Sequence, residues 1–283
     1  MGLSLSFPIL EHLSPDGLSN ISEDLDCFEN APNLHSVATN SSMDTVEKSA
    51  VTWHRLNLMD VCATRNDNLD VLRQFPALTI LKRWRYWSTF EPSTIPLAKL
   101  QSFTFIDCKN VQECEMLENI RWFQRSLIWP QNAFNAFISR LSCKLTTLSL
   151  SIVTISDLDL VSALRLLPSL TSFSTEDLEN AEGGSPITSH FISSMHSSSP
   201  APLLPKLLSL SIKLFGTSFD DTAFVSVISS RWMPGYSVGI DCLRSLVLCF
   251  SEREIDKEVY KPLWDLDRQG MRVFIAGINY KGQ

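Results

Sequence analysis

The first 47 residues contain no lysine or arginine, although eight acids, from Glu11 to Glu47, are spread through them. The formal net charge of -7 therefore belongs to this end, because residues 48–283 carry 23 acids against 24 bases. A nearly neutral bulk argues against non-specific nucleic-acid binding, which needs many cations gathered on one face. No apolar stretch approaches the roughly 18 residues of a membrane-crossing helix, and the N-terminus has neither the basic leader nor the long apolar segment of a signal peptide. The expectation is an intracellular protein, cytoplasmic or nuclear, with no membrane partner. Seven cysteines occur without a single CxxC pair. An odd number in a chain long enough to bury its own core reads as buried thiols in a reducing compartment.

Catalytic and ligand-holding patterns are also scarce. His12, His35, His54, His190 and His196 are scattered, and the last two share a Ser-rich stretch with no Cys or carboxylate at ligand spacing. Gly183-Gly184-Ser185 lacks the preceding strand and following helix that a nucleophile elbow or phosphate loop requires. No metal, no cofactor and no enzymatic activity are expected.

What the chain does have is a repeat. Apolar residues recur as L-x-x-L-x-L or its first half at Leu10, Leu34, Trp53, Leu78, Leu100, Leu145, Leu170, Leu207 and Leu243. Most steps between these positions fall in or near the 20 to 29 residues of a leucine-rich repeat, and the step of 45 is close to two periods. Positions 1, 4 and 6 can all point inward where a short strand follows a turn, so stacked turns bury a continuous apolar spine. Between the segments, Leu158, Val161, Leu164 and Leu167 recur at helical spacing, with Ser156 or Asp157 as N-cap. The fold class is therefore α/β: one solenoid over residues 1–283, a curved horseshoe with short parallel strands on the concave side and helices and loops outside. Residues 1–33 form an incomplete first turn, in which Phe7-Pro8-Ile9-Leu10 reads as a repeat strand. Residues 181–205 form a Ser/Pro-rich insertion with a short helix around Ile187, Phe191, Ile192 and Met195. Residues 270–283 form a closing strand and tail.

Four segments carry a family likeness: Phe28-Glu29-Asn30-Ala31-Pro32-Asn33-Leu34; Trp129-Pro130 with FNAFISRLSCKLTTLSL (134–150); LRLLPSL (164–170); and Ser229-Ser230-Arg231-Trp232 leading to LRSLVL (243–248). On these the chain resembles the leucine-rich-repeat region of F-box proteins of mushroom-forming fungi. The resemblance implies a non-enzymatic protein-interaction module that selects a protein target for a cullin ubiquitin ligase. No F-box is visible, so direct contact with the ligase's linker protein is not expected. The alternatives are a truncated gene product without independent function, and a solenoid that binds phosphate or nucleic acid.

In such a solenoid the residues between the buried positions face the concave side and are free to read a partner. The expected protein-binding set is His54, Arg55, Asn57, Lys82, Trp84, Arg85, Gln101 and Asp107. Its centre is Lys82-Arg83-Trp84-Arg85-Tyr86-Trp87, three cations interleaved with three aromatics. Arg and Trp dominate interface hot spots, and a guanidinium stacked on an indole is favourable by about 0.5–2 kcal/mol. A second aromatic group, Trp122, Phe123, Trp129, Phe134 and Phe137, is expected to be core.

Overall fold

A proline at the second position of a turn, with leucine two residues later, marks the start of five repeats. Proline's fixed φ suits that turn position, and the turn closes when the leucine N–H donates to the carbonyl three residues back. The bond recurs from Leu10 to Phe7 (3.2 Å), and at 3.1 Å from Leu34 to Ala31, Leu78 to Phe75, Leu170 to Leu167 and Leu207 to Leu204. The computed structural model describes residues 7–13, 28, 30–39, 53–62, 72, 74–84, 99–106, 129, 131–140, 144–177, 185–215, 219–233 and 239–278.

Two compact units are formed. The first comprises Met1–Arg125 and Asn132–Lys144, and the second comprises Ser126–Gln131 and Leu145–Gln283. The first contains β1 (His12–Leu13), β2 (Ser36–Thr39), β3 (Leu58–Cys62), β4 (Ile80–Trp84) and β5 (Ser102–Ile106), each parallel to the next in chain order. All but the first residue of α1 (Gln131–Arg140) also belongs to it. The second contains β6 (Thr147–Ser151), β7 (Ser172–Glu176), β8 (Ser209–Leu214), β9 (Ser245–Phe250) and β10 (Arg272–Ala276), again parallel in chain order. Its crossovers carry α2 (Asp157–Arg165), α3 (Ser189–Ser194), α4 (Asp221–Trp232) and α5 (Lys257–Arg268). Consecutive helices of this unit touch one another, so they form one layer. No helix among the described residues is long and apolar enough to cross a membrane.

The repeat is welded at its second position. The carbonyl of Asn57 accepts the N–H groups of Thr79 (2.8 Å) and Ile80 (2.9 Å), and that of Thr79 accepts those of Gln101 and Ser102. In the second unit the carbonyls of Thr146, Thr171 and Leu208 do the same for the next repeat. Thr79 and Thr171 add their hydroxyls, donating at 3.0 and 3.1 Å to Asn57 and Thr146. The backbone accounting of each repeat is thus completed by its neighbour.

The apolar spine is as the pattern requires. Leu145, Leu148 and Leu150 are buried, as are Leu100, Phe103 and Phe105, Leu207, Leu210 and Ile212, and Leu243, Leu246 and Leu248. Each fully buried Leu or Phe contributes about 1.5–3 kcal/mol. Trp129, Phe134 and Phe137 are core, with Phe137 against Phe103 at 5.3 Å between ring centroids. Trp122 and Phe123 lie outside the described residues.

Three expectations need correction. The third repeat does not begin at Trp53: the register pairs Met59 with Val37 and Leu81, so the buried Leu56 and Met59 hold its first two spine positions, and the steps on either side become 22 residues each. Phe7-Pro8-Ile9-Leu10 is a turn, and its strand starts at His12. Leu158 is 64% exposed, because α2 turns Leu160, Val161, Ala163 and Leu164 inward instead.

Caps fix where the helices of the second unit begin. The side chains of Ser156, Thr188, Asp220 and Asp256 accept backbone N–H groups of the first turns of α2, α3, α4 and α5. At the end of α5, Gly270 adopts φ 106°, a left-handed conformation that lets Met271 donate back to the Leu266 carbonyl at 3.1 Å before β10.

Candidate functional site

Along β6, β7 and β9 burial alternates strictly, and the same alternation runs through most of β8. The buried set faces the apolar spine. The other set leaves Thr147, Ser149 and Ser151, then Ser172, Ser174 and Glu176, on the opposite face at intermediate exposure. A parallel sheet ordinarily has both faces covered by its crossovers and reads as continuous apolar strands. β6, β7 and β8 are apolar on one side only, with hydroxyl and charged side chains on the other, so that face is partly open to water.

In the first unit the open face carries longer groups. Asn57, Thr79 and Gln101 stand side by side along the row of welded carbonyls, with Asn57 and Gln101 exposed. Leu58, Ile80 and Ser102 form the next row, and Asp60, Lys82 and Thr104 the row two residues further along β3, β4 and β5, where Lys82 Nζ lies 3.7 Å from an Asp60 carboxylate oxygen. Among the expected residues, then, Asn57 and Gln101 stand exposed just before β3 and β5, and Lys82 lies on β4 between Asp60 and Thr104. Trp84 is the last residue of β4, in register with Cys62 and Ile106. His54 and Arg55 are exposed but sit in a 3-10 turn before β3, because the frame of that repeat starts three residues later than expected. Arg55 donates at 2.7 Å to the Pro32 carbonyl, bridging to the preceding turn. Arg85 and Asp107 lie outside the described residues.

The sequence pattern offers Thr146, Thr147 and Ser149 as small hydroxyls on the open face of the second unit, but it does not single out Asp60 or Glu176. There Glu176 accepts hydrogen bonds from Ser151 (2.7 Å) and from Lys213 (2.5 Å) across three neighbouring strands. Burial works against its charge, but those two donors outweigh it and hold the carboxyl below its usual range. Next to it burial pushes the Cys249 thiol up, against a smaller opposing pull from Lys213. Beyond the row an open groove of about 530 Å³ is lined by Trp232, Met233, Cys242, Arg244, Ser245 and Arg272. Two guanidiniums beside an indole and a thioether suit an anionic group carried on an apolar body. The groove gathers the end of α4, the turn into β9 and the start of β10, where Ser245 and Arg272 are register partners.

Other polar groups are spent on the fold. Arg231 is 2% exposed, and its guanidinium donates to the carbonyls of Met195 (3.3 Å), Leu203 (3.1 Å) and Leu204 (2.5 Å). Burial lowers its pKa to about 10, opposed by Asp241. Leu204 sits at φ 52°, so the arginine secures a turn that an L-residue adopts with strain. Asp177, at the end of β7, is buried, and desolvation raises its pKa to about 6 despite a hydrogen bond from Ser185. Asp221 accepts from both Arg253 and the hydroxyl of Tyr260, and Arg253 stacks 3.9 Å from the Phe250 ring centroid. Burial and the neighbouring Asp221 raise the Tyr260 phenol, so it stays a neutral donor in a packed end layer. No family model matches the chain, and no curated protein matches it.

Proposed function

We propose that the chain is a non-enzymatic protein-binding solenoid of the leucine-rich-repeat kind, working like the target-recognition repeats of an F-box ubiquitin-ligase adaptor. The observation that supports this most is the face opposite the apolar spine, where Asp60, Lys82 and Thr104 stand in register over β3, β4 and β5, with the exposed amides of Asn57 and Gln101 just before β3 and β5. A flat array of side chains from successive strands suits an extended protein surface better than a small substrate, since each repeat supplies one readable position per row. Asn57, Lys82 and Gln101 are the contact residues of this reading, with Asp60 setting the position of Lys82.

The test is partner capture by the full chain with quantitative mass spectrometry, repeated with Lys82→Glu plus Gln101→Glu and with Arg165→Glu plus Lys261→Glu on the helices. The reading expects the captured set to be lost from the first variant and kept by the second. Capture that is indifferent to the open-face pair, or that fails only for the helix pair, would refute it.

A further inference from the structure

We infer that Glu11, His12 and His35 form a binding site for a divalent transition-metal ion of the zinc class at the first two strands. In sequence the two histidines lie one repeat apart, which hides the site. The parallel pairing of β1 with β2 sets His12 opposite Ser36, and the Glu11 carbonyl accepts the His35 N–H at 3.1 Å. The three side chains therefore meet where the two adjacent strands begin, and one ligand atom from each lies within 4.8 Å of the other two.

A carboxylate beside a histidine is common on protein surfaces. This cluster has more: a second imidazole, its ring centroid 4.7 Å from that of His35 at 83°. Nor is the His35 ring committed elsewhere among the described residues. Its Nδ1 is buried without a hydrogen-bond partner, and its Nε2 lies 3.9 Å from a Glu11 carboxylate oxygen, too far for a hydrogen bond. Two imidazoles and a carboxylate are the donor set of open zinc sites, where a water completes the tetrahedron. Metal–ligand bonds of about 2.0–2.2 Å place tetrahedral donors about 3.4 Å apart, so the present donors need to close by about 1 Å. Glu11 and His12 are exposed and His35 is half-buried, which leaves the side-chain torsions room to make that movement. Bound there, the ion clips β1, a strand of two residues, onto β2 and secures the outermost strand pair of the first unit.

The test uses the full chain, stripped with chelator and titrated with Zn²⁺ by calorimetry and with Co²⁺ by visible absorption. One ion per chain is expected, with a tetrahedral cobalt spectrum. His12→Ala, His35→Ala and Glu11→Gln should each weaken affinity by about 10-fold or more, while His190→Ala plus His196→Ala should leave it unchanged. Glu11→Gln keeps the size of an exposed side chain, so its loss of affinity reports ligation and not unfolding. The proposal is overturned if no equimolar binding occurs below about 100 µM, or if binding survives His12→Ala plus His35→Ala, or if the distant histidine pair proves to be the site.

Discussion

The two units build one repeat and spend their polar residues differently. In the first, Asp60 and Lys82 pair across β3 and β4, and the exposed amides of Asn57 and Gln101 stand just before β3 and β5. In the second, the open face is mostly hydroxyl along β6, β7 and β8, and two charged groups are buried, Arg231 in a crossover helix and Asp177 at the end of a strand. Polar side chains that serve binding can be changed at small cost to the fold, whereas those that satisfy buried backbone cannot.

The contrast makes its strongest claim at Arg231. Replacing it with Ala leaves three carbonyls of the Ser/Pro-rich insertion without their donor and Leu204 without its anchor, so a loss of about 3–5 kcal/mol is expected. Chemical denaturation of the full chain, followed by far-UV circular dichroism, measures this. A loss below about 1 kcal/mol would mean that water replaces the guanidinium.

Asp177 tests the same unit by pH. Its folded pKa of about 6 lies above the ordinary 3.8. The native state therefore holds the proton more tightly than the unfolded chain does. The protonated group costs the fold nothing below about pH 4, and the penalty grows as pH rises through 6, up to about 3 kcal/mol. Asp177→Asn should thus leave the melting temperature unchanged near pH 4 and raise it at pH 8. An equal shift at both values would assign the effect to packing instead.

Smaller effects lie at the caps and on the open face. Ser156→Ala removes the side chain that starts α2 and should cost about 1 kcal/mol in the same denaturation experiment. Lys82→Gln breaks a half-exposed pair and should cost no more than about 1 kcal/mol, while weakening partner binding. If Lys82→Gln destabilised the fold as much as Arg231→Ala, the division of labour between the units would be wrong.

The spine was legible because leucine spacing expresses one constraint, the inward direction of positions 1, 4 and 6, whereas the proline turns that open five of the repeats show only in the structure. The frame of the third repeat was not, because Trp53-x-x-Leu56-x-Leu58 and Leu56-x-x-Met59-x-Val61 are equally apolar. No proline turn precedes Leu56 to choose between them, and only pairing with β2 and β4 decides. That one slip moved His54 and Arg55 onto a face they do not share, and it hid Asp60, the partner of Lys82. Arg231 stood in a quoted motif, yet its acceptors lie 27 or more residues away, a distance that local pattern does not span. The gathering of Glu11, His12 and His35 was hidden for the same reason, since register between strands is a property of the stacked repeats.

The most direct test of the account is a footprint of the chain bound to a partner captured by it, read by hydroxyl-radical labelling and mass spectrometry. Protection is predicted at Asn57, Lys82 and Gln101, with Arg165, Lys261 and Pro262 of the helices labelled as in the free chain. Protection of those helix residues, with the open face still labelled, would contradict it.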